Sequence, residues 1–305
     1  MRINHGWNGL PPEARGASVA MGNFDGVHLG HQSVINLARG AAPLGVVTFE
    51  PHPRQVFAPE APPFRLMNAE ARANRLARLG VAELFELPFD AQIASMSPET
   101  FVTEVLKEGL GVSHVVVGAD FRFGKGRAGT AEDLQRLGAA HGLRVTVAPL
   151  IAHEGEEISS TAIRRALAEG RPRDAAQMLG HLHRIEGEVI HGEKRGRELG
   201  YPTANMSVQG LHLPKLGVYA VKVDILTGPQ AGSYIGASSL GVRPQFGGTV
   251  PNLETFLFDF TGDLYGQHLS VALVDYLRPE MKFDGLQGLL DQMAADCLRA
   301  RDILS

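Results

Sequence analysis

Ten residues from Gly22 to His31, GNFDGVHLGH, combine three glycines, an aspartate and two histidines three positions apart, directly after a hydrophobic stretch. The segment is too polar for a core and too rich in glycine for an ordinary helix. Glycines let a backbone approach a phosphate closely, and the free N–H groups at the start of a following helix favour an anion. On a helical first turn His28 and His31 share a face. Two imidazoles beside a triphosphate can stabilise charge on the transferring phosphorus and on departing pyrophosphate. Other uses stay open. A metal site needs a third ligand and no HExxH-type companion is present, while capping or surface histidines remain an alternative. A dinucleotide fingerprint is excluded because GxGxxG is absent. GADFRFGKGRAG has a Gly-Lys pair at the wrong spacing for a Walker A loop.

Three further groups could do chemistry. In ISSTAIRRAL (158–167), Ser159, Ser160 and Thr161 offer hydroxyls at a helix start and Arg164 projects one turn later, a second phosphate-facing end or simply a capped helix. In HGEKRGRELGYPTANM (191–206), Thr203 and Asn205 lie two apart, so on an extended segment they present two oxygens on one side. Hard oxygens beside a basic, glycine-containing loop suit Mg²⁺ carried by ATP phosphates, although a polar turn before a strand reads the same way. Glu254, in LETFLFDF, shares a strand face with Phe256, Phe258 and Phe260. A carboxylate on an aromatic face is costly unless it is paired or working, or lies exposed at the strand end. A base that takes a proton from a primary alcohol during phosphoryl transfer would need such a carboxylate.

The elements that must position these groups differ between the halves. Short apolar runs at 17–22, 44–50, 83–89, 114–120 and 144–150 alternate with helical patterns. One helix has Ser97 as cap, Pro98 at its first position and Phe101, Val102, Val105 and Leu106 on one face. Another is capped by Thr130 with Asp133, and Gly80 and Gly170 sit at helix ends. This predicts a doubly wound, Rossmann-like α/β domain with a parallel sheet, which binds ligands at the carboxyl ends of its strands. The helix HQSVINLARG after the histidine motif is expected to end at Gly40. Beyond about residue 182 the period becomes two: in 217–226, Tyr219, Val221, Val223 and Ile225 point one way, and 253–262 and 268–277 read as strands. A final helix, capped by Asp284, carries Leu286, Leu289, Leu290, Met293 and Cys297 on one stripe. The expectation is an antiparallel β-barrel with a C-terminal helix, and domains at 1–182 and 183–305.

The chain has 305 residues, long enough for two domains at roughly 150 each. With 44% hydrophobic and 20% charged residues it reads as soluble and globular, and no apolar run approaches the roughly 20 residues of a membrane helix. The N-terminus lacks a signal-peptide core, and the single Cys297 fits a reducing cytoplasm. A net charge of −4 argues against a general nucleic-acid partner but not against an anionic small molecule.

GNFDGVHLGHQ with ISSTAIRRAL resembles the HxGH nucleotidylyltransferases. With FEPHPRQVF (49–57) and VVGADFRFGKGRAG (116–129), the first half resembles the FMN adenylyltransferase module of bacterial bifunctional riboflavin kinase/FAD synthetases. The resemblance implies a nucleotide site of Gly22, Phe24, Asp25, Gly26, His28, Gly30 and His31, completed by Asp120, Ser159, Ser160, Thr161 and Arg164. It implies flavin contacts at Phe49, Pro51, Phe121, Arg122 and Phe123. The second half, with PTAN, GVYAV, DLYG and LRPEMKF, resembles the riboflavin kinase module. There the resemblance assigns Thr203, Asn205 and Gly196 to Mg-ATP, Glu254 as base for the riboflavin 5′-hydroxyl, and Arg278 and Phe283 to the flavin. The pattern is departed from at Ser239 and Gln245, which bears on substrate affinity in that half. Expected, then, is a cytoplasmic enzyme that makes FMN from riboflavin and FAD from FMN, using ATP and Mg²⁺. It would act without nucleic-acid or membrane partners, as a monomer or weak homo-oligomer.

Overall fold

The computed structural model describes the chain except for residues 151, 154–155, 193–198 and 246–247. Internal contacts divide it into two units, Met1–Ala61 with Arg72–Ile158 and Pro62–Ala71 with Ser159–Ser305. The two helices between 159 and 182, α7 (Ser160–Ala168) and α8 (Pro172–Leu179), fall with the second unit. The cause is packing: Leu66, Ile163, Ala166, Leu167, Ala175 and Leu179 form one buried apolar cluster.

In the first unit β1 (Arg2–His5), β2 (Ser18–Met21), β3 (Leu44–Glu50), β4 (Glu83–Pro88), β5 (His114–Gly118) and β8 (Arg144–Ala148) form one parallel sheet, in the order β1-β4-β3-β2-β5-β8. The five apolar runs are all present. The short β1 was not legible because its residues are mostly exposed and polar. A two-residue ribbon, β6 (Arg122–Phe123) with β7 (Gly129–Thr130), follows β5. Chain order reverses at β2, which pairs with β3 on one side and β5 on the other, so their carboxyl ends make a topological switch point. Every residue of β2 is buried, as a strand covered on both faces requires. Ser97 caps as expected by accepting from the Thr100 N–H. Phe101, Val102, Val105 and Leu106 are buried, although Phe101–Gly109 is wound as a π-helix. The helix after the histidine motif, α1 (Leu29–Leu37), stops short of Gly40.

The second unit is a six-stranded antiparallel sheet of β11 (His183–Glu188), β12 (Ala204–Ser207), β13 (Gly217–Ile225), β14 (Gly232–Gln245), β15 (Gly248–Leu257) and β16 (His268–Arg278), in the order β11-β16-β13-β14-β15-β12. A bridge in which the Ile190 N–H donates to the Asn205 carbonyl at 2.8 Å nearly closes it into a barrel. Tyr219, Val221, Val223 and Ile225 line its interior with Leu240, Leu253, Leu257 and Leu273. β14 escaped prediction because glycine and serine interrupt its pattern. Gly236 is required there, since a Cβ would lie 2.3 Å from the Phe256 carbonyl oxygen. The C-terminal helix (Leu286–Leu304) starts one residue later than expected, with Gly285 at a φ of 100° as its cap in place of Asp284. Leu286 is exposed, whereas Leu289, Leu290, Met293 and Cys297 of the expected stripe are half-buried, and the apolar contact with the sheet continues through Ala300, Ile303 and Leu304.

His183, sharing the inward parity of Ile185 on β11, is 3% exposed, and burial, with His181 and His212 adding to it, pushes its pKa down to about 3. The unfolded imidazole takes up a proton below about pH 6.5 while the folded one stays neutral. The associated stability is complete above pH 6.5 and declines as pH falls towards 3, by up to about 1.4 kcal/mol per pH unit. Thermal unfolding at pH 7.5 and pH 5 should show a smaller acid loss in His183→Gln than in the unaltered chain.

Candidate active sites

The loop after β2 is strained and well held. The Gly22 N–H donates to the Val47 carbonyl at 3.1 Å, and Thr48 Oγ1 donates to the Asn23 carbonyl at 3.2 Å. Phe24, Gly26 and Val27 then take φ values of 51°, 88° and 45°. Positive φ at a β-branched residue is an outlier, and each such non-glycine residue costs about 1–3 kcal/mol. Burial of the Phe24 and Val27 side chains offsets this, and Gln32 Nε2 donates to the Val27 carbonyl at 2.9 Å. Thr48 and Gln32 were not legible as site residues; the sole signal was a threonine within a buried Val-rich strand.

The turn delivers His28 as the cap of α1, where its Nδ1 accepts from the His31 N–H at 3.3 Å. With Nδ1 accepting, the neutral ring carries its hydrogen on Nε2, a donor for an anion. The His28 and His31 rings stack with centroids 3.6 Å apart and 19° between planes, and Phe24 lies 5.2 Å from His31. Gly30 makes room for this stack, because a Cβ there would lie 3.1 Å from His28 Nδ1. Burial, with His28 alongside, holds the His31 pKa well below its ordinary value, and His31 Nδ1 is buried with no hydrogen-bond partner among the described residues. An unpaired buried polar atom costs about 1–3 kcal/mol, which an anion accepting a hydrogen bond from that nitrogen would recover. Asp25 is buried in the same loop, and Asp120 is exposed just beyond β5, the strand beside β2.

Around the other strand ends runs a line of aromatic rings. Phe57 meets Phe89 at 5.5 Å, Phe89 meets Phe49 at 5.6 Å, Phe49 meets Phe101 at 6.4 Å, Phe101 meets Phe123 at 5.9 Å, and Phe123 stacks on Phe121 at 5.8 Å. Phe49 and Phe123 are buried in this line, while Pro51 (after a cis peptide bond) and Arg122 are exposed. Phe57, Phe89 and Phe101 join it, none of them among the flavin contacts expected from sequence. Beneath it Arg72, 1% exposed, donates to Glu50 at 2.9 Å and Glu86 at 2.7 Å, fixing the start of the FEPHP loop.

Ser159, Ser160, Thr161 and Arg164 belong to the second unit. Ser159 Oγ caps α7 by accepting from the Ala162 N–H at 3.2 Å, Ser160 and Thr161 form its first turn, and Arg164 Nε donates to the Phe64 carbonyl at 2.6 Å. Arg164 thus anchors the 62–71 segment.

The second unit's polar cluster lies on the outside of the barrel. Ladder register sets Asn205 of β12 opposite Glu254 of β15. Thr203 Oγ1 lies 3.5 Å from Glu254 Oε2, Asn205 Nδ2 donates to the Thr203 carbonyl at 3.2 Å, and Asn252 Nδ2 donates to Asn205 Oδ1 at 3.0 Å. Phe256 and Phe258 share this outer side, but Phe260 does not: β15 ends at Leu257, Asp259 turns at a φ of 57°, and Phe260 packs towards the interior against Tyr234 at 5.2 Å. Arg278, expected to meet a flavin, has its Nε held by Asp296 of the C-terminal helix at 2.9 Å, with Phe283 5.8 Å beneath its guanidinium. Gly196 lies outside the described residues.

A family model described as FAD synthetase matches residues 10–162, and one described as riboflavin kinase matches residues 179–304. A bifunctional riboflavin kinase/FMN adenylyltransferase from Pseudomonas fluorescens is 41% identical over 99% of this chain and 97% of its own. One from Escherichia coli K12 is 37% identical over 98% and 95%. A solved structure described as a macrolide-efflux protein from Streptococcus pneumoniae matches with a TM-score of 0.83 and 33% identity over 99% of both chains. No described helix of the present chain is long and apolar enough to cross a membrane.

Gly30→Ala should displace the His28 ring by a few tenths of an ångström and cut ATP-dependent pyrophosphate release at least tenfold. The imidazole NMR signals of His28 and His31 should shift while the melting temperature stays close to that of the parent.

Proposed function

The chain belongs to the bifunctional riboflavin kinase/FMN adenylyltransferase family and carries both activities of flavin-cofactor biosynthesis; on that premise we propose how its two sites divide the work. FMN adenylylation takes place on the 22–31 loop. The ATP triphosphate lies along Gly22, Gly26 and Gly30. His28 donates from Nε2, and His31, neutral with its hydrogen on Nδ1, donates from that nitrogen. An FMN phosphate oxygen attacks the α-phosphorus, the bond to the β-phosphate breaks, and pyrophosphate leaves with the electron pair. No side chain acts as nucleophile; the loop positions the triphosphate and stabilises charge. Asp25 and Asp120 border the nucleotide, and the aromatic line at Phe49, Phe121 and Phe123 takes the flavin with Pro51 and Arg122 at its rim. The stacked histidine pair with its orphaned Nδ1 is the observation that carries this reading.

Riboflavin phosphorylation takes place on the outer face of the barrel. Glu254 accepts the proton of the 5′-hydroxyl as that oxygen attacks the γ-phosphorus and ADP departs. Thr203 Oγ1 and Asn205 Oδ1 are hard oxygens suited to Mg²⁺, and the second lone pair of Asn205 Oδ1 remains beside its bond from Asn252. Thr203 and Asn205 would hold the ion together with phosphate oxygens of ATP, and it would supply neutralisation of phosphate charge. The reading assigns the enzyme to the cytoplasm, where ATP is abundant, as a monomer or weak homo-oligomer.

Chromatographic separation of FMN from FAD tests the division. His28→Ala should still convert riboflavin to FMN but form FAD at least a hundredfold more slowly. Glu254→Gln should lose riboflavin phosphorylation by a factor of roughly 10²–10³ and adenylylate supplied FMN normally. Equal loss of both activities in either variant would overturn the assignment.

A further inference from the structure

Register places a third polar side chain beside Glu254. Ser239 of β14 lies directly opposite it, on the side away from Asn205. Parity is fixed by the neighbours: Ser238 Oγ and Thr255 Oγ1 are bonded at 2.8 Å in the barrel interior, and Leu240 and Leu253 are buried there, so Ser239 and Glu254 face outward. Directly opposed residues have Cβ atoms about 4.5–5.5 Å apart. Asn205, Glu254 and Ser239 therefore form a row across three strands. Ser239 is half-buried, and among the described residues its hydroxyl has no hydrogen-bond partner.

The row has a direction. At one end are Thr203 and Asn205, the hard-oxygen end. Beyond Ser239 lies Val218 of β13, and two pairs along the ladder, on the same face, lie Ala237 and Phe256. These three belong to the apolar cluster under the C-terminal helix, with Phe258 and Ala300. A substrate whose primary alcohol reaches Glu254 while its ring system rests on the half-buried Ala237 and Phe256 has Ser239 alongside its connecting chain. We propose that Ser239 is a specificity-determining residue that hydrogen-bonds a secondary hydroxyl of the polyol chain joining the flavin ring to the reacting alcohol. This rests on the reading of Glu254 as the base of the kinase site.

The test compares riboflavin with a flavin whose N10 substituent is 5-hydroxypentyl, which keeps the primary alcohol and lacks the secondary hydroxyls. Ser239→Ala should raise KM for riboflavin about five- to tenfold, leaving kcat, KM for ATP and FMN adenylylation unchanged. The hydroxypentyl flavin should be phosphorylated alike by both proteins, and Ser239→Thr should restore KM for riboflavin. An unchanged KM for riboflavin in Ser239→Ala, an equal weakening of both flavins, or a rise in KM for ATP instead would overturn the role of Ser239. Failure of that role would leave Glu254→Gln inactive as a kinase, whereas an active Glu254→Gln would remove the reading beneath it.

Discussion

The antiparallel hydrogen bonds that tie β15 to β12 and to β14 hold Glu254 between Asn205 and Ser239. A slip of one residue in either ladder would turn that carboxylate into an interior lined by Leu240, Leu253 and Leu257. The slip is forbidden by what the inward positions contain. Ser238 and Thr255 satisfy each other only in the observed pairing, and Gly236 admits the Phe256 carbonyl where no side chain would. The chemistry on the outside of the barrel is therefore specified from the inside.

The first unit solves the same problem with backbone conformation. Its parallel strands place loop starts at the switch point beside β2, but strand pairing cannot aim an imidazole. Left-handed conformations at Phe24, Gly26 and Val27 do that, anchored by Thr48 and Gln32. Strain is confined to the turn that sets His28 as a helix cap, and the buried apolar side chains on that turn hold it in place. A strained turn with full burial is rigid, which suits a site that works by positioning.

How far the molecule could be read from sequence follows from this difference. Apolar strands and the capped helices at Ser97 and Thr130 were legible, because period and cap chemistry are local. The histidine spacing, Thr203, Asn205 and Glu254 were legible as chemistry-bearing types. β14 was not, since its glycines and serines are dictated by a neighbouring strand. Neither was the exit of Phe260 from the aromatic face, which follows from a single left-handed residue at Asp259. The placement of α7 and α8 depended on Leu66, nearly a hundred positions earlier, which no local pattern reveals. Ser239 stood out only as a departure from a family pattern, and only register gave it a neighbour.

The alternation along β14 also bears on how such a protein tolerates change. Its even positions, Gly236, Ser238 and Leu240, are committed to the barrel, whereas Ala237 and Ser239 look outward onto the face that holds Glu254. Two interleaved sets of residues in one strand thus answer to different selective pressures, one to folding and the other to substrate. A change at Ser239 can alter the face that holds Glu254 while the interior packing beneath it is left untouched.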